Sequence, residues 1–101
     1  MLAPMSGVSE QHPLELVAGF TTYPNPVRAR AAVCYELDRL TPVELTVTDV
    51  TGRRVATLAN GVQSAGHHSA RWDASGAASG VYFCTLRAGD RASTRPLVVS
   101  R

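Results

Sequence analysis

Ser79-Gly80-Val81-Tyr82-Phe83-Cys84-Thr85-Leu86 is the most strand-like run in the chain, and its reading decides the fold. Gly80 opens it, and the β-branched and aromatic residues that follow suit a pleated, packed surface. Ala88-Gly89-Asp90 closes it with a turn signal. Strand alternation sets Tyr82, Cys84 and Leu86 on one face and Val81, Phe83 and Thr85 on the other. Both sets carry large apolar groups, which predicts a central strand covered on both faces.

The neighbouring segments read as strands that pair with it or pack on it. Upstream, His68, Ala70 and Trp72 alternate inward against His67, Ser69 and Arg71, and Asp73-Ala74-Ser75-Gly76 ends that run. Val43, Leu45 and Val47 point inward with Glu44, Thr46 and Thr48 outward, as in a half-solvated antiparallel strand. Asp49-Val50-Thr51-Gly52 then reads as a hairpin turn, with Gly52 in the left-handed position of a bulged loop. The predicted return strand is residues 53–58, and Asn60-Gly61 and Ala65-Gly66 bracket a loop.

Further upstream, Val33, Tyr35 and Leu37 share one face of a strand over residues 32–37, and Cys34 and Glu36 share the other. A short apolar strand is predicted over 16–23. Tyr23-Pro24-Asn25-Pro26 ends it, because proline lacks a backbone donor and biases the preceding residue toward extended geometry. An edge strand that bends or switches sheets uses such a corner. Residues 1–15 mix Ser, Gly, Pro, Gln and His without a period and read as a linker or leader. Downstream of Gly89-Asp90, residues 93–100 form the last strand. About seven short strands at this spacing, with no helical period, predict an all-β immunoglobulin-like sandwich of two antiparallel sheets.

Composition narrows the function classes. The chain has 101 residues, 45% hydrophobic and 18% charged, which fits one globular domain. Its net charge of +2 comes with ten basic residues, all arginine and all scattered, so no nucleic-acid partner is indicated. Met1 to Gly7 lacks the basic and apolar regions of a signal peptide, and no run approaches the ~20 apolar residues of a membrane span. The chain is either cytosolic or a piece of a longer protein whose signal lies upstream.

Four motifs stand in one order: Tyr23-Pro24-Asn25-Pro26; Leu45-x-Val47-x-Asp49-x-x-Gly52-Arg53-x-Val55; Ala65-Gly66-x-His68-x-x-x-Trp72-Asp73; and Ser79-Gly80-Val81-Tyr82-Phe83. Together they resemble the C-terminal sorting domain of type IX secretion cargo, a group similar to the immunoglobulin-like domain of the flagellar hook-capping protein. The resemblance covers residues 20–101. It implies a β-sandwich, read by outer-membrane export machinery, that delivers a passenger to the surface of a Gram-negative bacterium and is then removed or kept as an anchor. Leu97, Val98, Val99, Ser100 and Arg101 are similar to the family's apolar, basic-tipped recognition tail. Pro96 departs from the family's usual polar residue, and its missing donor places the last strand at a sheet edge.

Tyr82-Phe83-Cys84 also resembles the tyrosine corner and second cysteine of antibody-type domains, with Cys34 as a potential partner. The tryptophan that should follow the first cysteine is missing there: Thr46, Val47 and Thr48 occupy that strand, so the likeness is read as convergent. Cys34 and Cys84 fall on opposed faces, which argues against the ~5.5–6 Å Cα separation of a disulfide. They are read as unpaired thiols.

Catalytic constellations fail on inspection. His67 and His68 are adjacent on a strand and face opposite ways, and His12 lies in the leader, so no metal site is expected. Cys84, His68 and Asp73 could be drawn as a nucleophile, base and orienting acid, but His68 fits a core or rim position and Asp73 a loop cap. No phosphate loop, cofactor motif or calcium spacing is present. A binding role is left: Tyr23 with the outward Arg53, Arg71 and Arg87 is one candidate patch, and an exposed last edge strand, open to strand addition, is the better one. The reading is a non-catalytic sorting or attachment module. The alternative is a structural module that self-assembles into an extracellular or flagellar structure or accompanies a secreted enzyme.

Overall fold

The computed structural model describes residues 18–100. The predicted leader, the residues 16 and 17 assigned to the first strand, and Arg101 lie outside them. Seven strands follow in order: β1 (Ala18–Tyr23), β2 (Arg30–Leu37), β3 (Thr41–Asp49), β4 (Arg54–Gln63), β5 (Gly66–Asp73), β6 (Gly80–Ala88) and β7 (Arg91–Val99). They form a three-stranded sheet, β1-β2-β5, and a four-stranded sheet, β4-β3-β6-β7. All the strand pairings are antiparallel. This is the expected all-β immunoglobulin-like sandwich, and the described residues contain no helix.

The alternating residues of each strand meet between the sheets. Val33, Tyr35, Leu37 and Trp72 from one sheet face Val43, Leu45, Val47, Tyr82, Cys84, Leu86, Leu97 and Val99 from the other. Burying a side chain such as Leu86 contributes roughly 1.5–3 kcal/mol, which makes this shared layer the main source of stability. Trp72 meets Tyr82 edge-on, with ring centroids 5.3 Å apart. The hydroxyl of Tyr82 donates to the Ala78 carbonyl at 2.7 Å, so its one polar atom is satisfied at the core boundary.

Three details depart from the sequence reading. β6 is central in hydrogen bonding, between β3 and β7, but only one of its faces is covered. Tyr82, Cys84, Leu86 and Ala88 are buried, whereas Val81 is 42% exposed and Phe83 and Thr85 are half-buried. Among the described residues no third layer packs against the outer face. The return strand β4 also runs through Asn60-Gly61 to Gln63, so that pair is not a loop boundary. Leu45 pairs with Ala59 but Thr46 with Thr57, and Val47 with Ala56 but Thr48 with Arg54. Leu58 and Val55 are therefore extra residues, and the two bulges bend an edge strand that a simple turn signal would have ended. Thr46 points outward as expected yet keeps only 8% exposure, because strands flank it on both sides.

Tyr23-Pro24-Asn25-Pro26 behaves as the sheet-switching corner. Both Tyr23-Pro24 and Asn25-Pro26 are cis. The chain leaves β1 and forms a parallel bridge from Val27 to Val99 in the opposite sheet before returning to β2.

Candidate recognition surface

The expected recognition tail is the end of β7, and it is part of the fold. Leu97 and Val99 are 0% and 1% exposed, against 38% for Val98. Leu97 pairs with Tyr82 and Val99 with Gly80, whose φ of 151° suits a glycine where β6 begins. Ser100 is exposed, and Arg101 lies outside the described residues.

β7 is the outer strand of its sheet, as Pro96 indicated, but its final stretch is not an open edge. The N–H of Val98 donates to Asn25 Oδ1 at 3.0 Å, and Asn25 Nδ2 donates to the Pro96 carbonyl at 3.4 Å. Val27 N–H donates to the Val98 carbonyl at 2.7 Å, and Ser100 N–H donates to the Val27 carbonyl at 2.8 Å. Val27 itself is fully buried. The corner therefore satisfies the outward backbone groups of Pro96, Val98 and Ser100. This corrects the expectation of a free strand-accepting edge at Leu97, Val98 and Val99: the groups that would receive another strand already have partners. The carbonyl of Pro96 points toward the corner, so its absent N–H falls on that side too and removes no bond to β6.

The remaining motif residues support this frame. Asp49 organises the β3–β4 hairpin: Oδ1 accepts from Thr51 N at 3.0 Å, Thr51 Oγ1 at 2.6 Å and Arg53 N at 3.0 Å, while Arg53 Nε reaches Oδ2 at 3.2 Å. The Thr51 hydroxyl foremost, with the backbone and charge of Arg53, holds the Asp49 carboxyl below the usual carboxylate range against a smaller opposing effect of burial. Gly52, at φ 87°, makes the left-handed step of that turn. Asp73 Oδ1 accepts from Ser75 N at 3.0 Å and caps the bend after β5. Trp72, Tyr82 and Gly80 are structural in the same sense.

The arginine patch does not assemble. Tyr23, 74% exposed, shares a shallow depression with Pro24, Arg30 and Arg71. Arg53 is held at the β3–β4 turn, and Arg87 lies in register with Glu44. A different surface is built instead on the outer face of the four-stranded sheet. Thr57, Thr46, Thr85 and Thr94 form one cross-strand row, and the Thr85 and Thr94 hydroxyls lie 3.0 Å apart. On one side of that row stand Glu44 and Arg87. On the other side, Phe83 pairs with Pro96 and Val81 with Val98.

Sequence reasoning missed Val27, an apolar residue directly after the prolines whose position in a polar corner was the available signal. It also missed Arg95, whose guanidinium lies 5.8 Å from the Phe20 ring centre while Nε donates to the Phe20 carbonyl at 3.1 Å, joining the two sheets. Tyr35 stacks on His68 at 5.6 Å and donates to Gln63 Oε1 at 2.7 Å. Burial raises the Tyr35 phenol above its ordinary value, with the Gln63 bond acting against it.

No catalytic arrangement forms from the residues considered for one. Cys84 is buried and its thiol is pushed up to about 11 by burial. His68 Nε2 lies 2.7 Å from the Ser64 carbonyl, and Asp73 caps its own bend. Both cysteines are free, Cys34 exposed and Cys84 in the core. Among the described residues no group of three His, Cys, Asp or Glu side chains is placed to hold a metal ion, and no helix is long and apolar enough to cross a membrane.

A search of curated proteins finds no match to the chain. The family model described as secretion system C-terminal sorting domain matches residues 21–100, which is every strand but the first residues of β1. This extent coincides with the two-sheet fold and includes both the corner and β7. The chain belongs to the secretion-system C-terminal sorting domain family, the non-catalytic sorting modules of type IX secretion.

Proposed function

We propose that residues 18–101 act as a tag, read in its folded state, that carries a passenger through the outer-membrane type IX machinery to the surface of a Gram-negative bacterium, with recognition centred on what the tail Leu97 to Arg101 exposes. After export the tag is cleaved from the passenger or serves to hold it at the surface. The observation that carries this reading is the family match across 21–100, which spans both the corner and the tail strand. Guarding at three of the four sheet edges favours a tag over a self-assembling module: β1 is six residues with a register shift, β4 has two bulges, and the end of β7 is capped, which leaves β5 as the regular edge.

The test is a periplasm-targeted reporter fused ahead of residues 18–101 in a bacterium with type IX machinery, compared with the reporter alone. Surface delivery only with the domain supports the reading. Retention of both in the periplasm, with the domain folded, would transfer support to the assembly role. Deleting Leu97 to Arg101 is not a clean test, because it removes two wholly buried core side chains together with the proposed signal.

A further inference from the structure

Three properties of β7 restrict how a folded domain can be read. Leu97 and Val99 are sealed in the core. The outward backbone of Pro96, Val98 and Ser100 is engaged by Asn25 and Val27. What the strand still displays is its outer face, Pro96 and Val98, and their register partners there are Phe83 and Val81 of β6.

We infer that the export machinery docks on this two-strand apolar face, so that Val81 and Phe83 of β6 belong to the recognition surface along with Pro96 and Val98. The inference rests on the sorting role proposed above. Val81 and Val98 are 42% and 38% exposed, valines that the two-sheet fold leaves against solvent on one connected patch. The four positions carry no charge; the nearest charge on this face, Arg54, stands two strands away from Phe83 across Thr48 and is paired with Glu44 at 3.6 Å. The complementary partner surface is therefore apolar where it meets these four side chains. A second copy of this chain is the poorer occupant, since four side chains fall far short of the roughly 20–30 residues that each side of a stable interface contributes. A machinery that must release its cargo is served by a small surface of this kind.

The experiment uses the reporter fusion with Val81→Asp and Val98→Asp, singly and together, each checked for a cooperative melt. A milder pair, Val81→Thr with Val98→Thr, keeps β-branching and serves if the aspartates unfold the domain. Arg87→Gln, on the charged end of the same face, is the control. Surface delivery should fall at least tenfold for the double aspartate and several-fold for the double threonine, and remain unchanged for Arg87→Gln. Wild-type delivery by a folded double variant would overturn the inference. If residues 18–101 confer no delivery at all, the sorting role fails instead. A concentration-dependent dimer of the isolated domain, lost in the double variant, would assign the face to a second copy and also overturn the inference.

Discussion

Adjacent residues of β7 should differ sharply in what their truncation costs. Leu97→Ala removes about three carbons from a wholly buried site, worth ~2.4 kcal/mol in transfer alone at ~0.8 kcal/mol per methylene. The cavity left beneath Tyr82 adds to this, for a total of about 3–4 kcal/mol. Val98→Ala removes two carbons from a site 38% exposed, which gives about 1 kcal/mol on the same scale. Urea unfolding of residues 18–101, followed by far-ultraviolet circular dichroism, measures both. With a urea slope near ~1 kcal/mol/M for a domain this small, the midpoint should drop by roughly 3–4 M for Leu97→Ala and roughly 1 M for Val98→Ala. Against a total stability of roughly 5–15 kcal/mol, the first variant is still folded in dilute buffer. Equal losses would refute the placement of the tail in the core. A larger loss for Val98→Ala would mean the strand is turned over.

Trp72→Ala should cost about 3–5 kcal/mol in the same denaturant assay, since it empties a buried aromatic site beside Tyr82; near wild-type stability would mean the β5 faces are inverted. Asp49 carries a pH signature. Its folded carboxyl titrates below the ordinary carboxylate value, so its stabilisation is fully present above that value and is lost as pH falls through the folded one. Melting temperatures of wild type and Asp49→Asn should therefore differ at pH 6 and converge as the pH is lowered through and below ~4; a gap that stays constant would contradict the hairpin account. Thiol labelling at pH 8 should modify Cys34 alone in the native domain and both cysteines in urea, because burial pushes the Cys84 thiol up to about 11. Two labels in the native state would show that Cys84 is reachable.

Much of the sandwich was legible because its strands alternate cleanly. Val33-x-Tyr35-x-Leu37 and Val43-x-Leu45-x-Val47 each fix an inner face without knowledge of their neighbours. Asp49 through Gly52 named its own turn by local hydrogen-bonding chemistry. What was not legible depends on partners far away in sequence. Nothing in the local composition of β4 marks its two bulges, which arise from matching Arg54–Gln63 to a shorter stretch of β3. Val81 and Phe83 look like core residues, and they lie outside because no third layer among the described residues covers them. The tail strand was recognisable as an apolar edge, but its closure needs Asn25 and Val27 from 71 or more residues upstream. Periodicity reports which face a residue takes; it does not report which remote segment covers an edge.

Under the proposed sorting role, the domain is read as a folded surface and not as an unravelled tail. Surface delivery of the reporter fused to the Leu97→Ala variant tests this most directly, at a temperature where its melt shows the variant folded. Delivery close to wild type is predicted, because the substitution changes only a side chain that no partner of the folded domain can touch. Loss of delivery by the folded variant would contradict the account and show that the buried residues of β7 are themselves read.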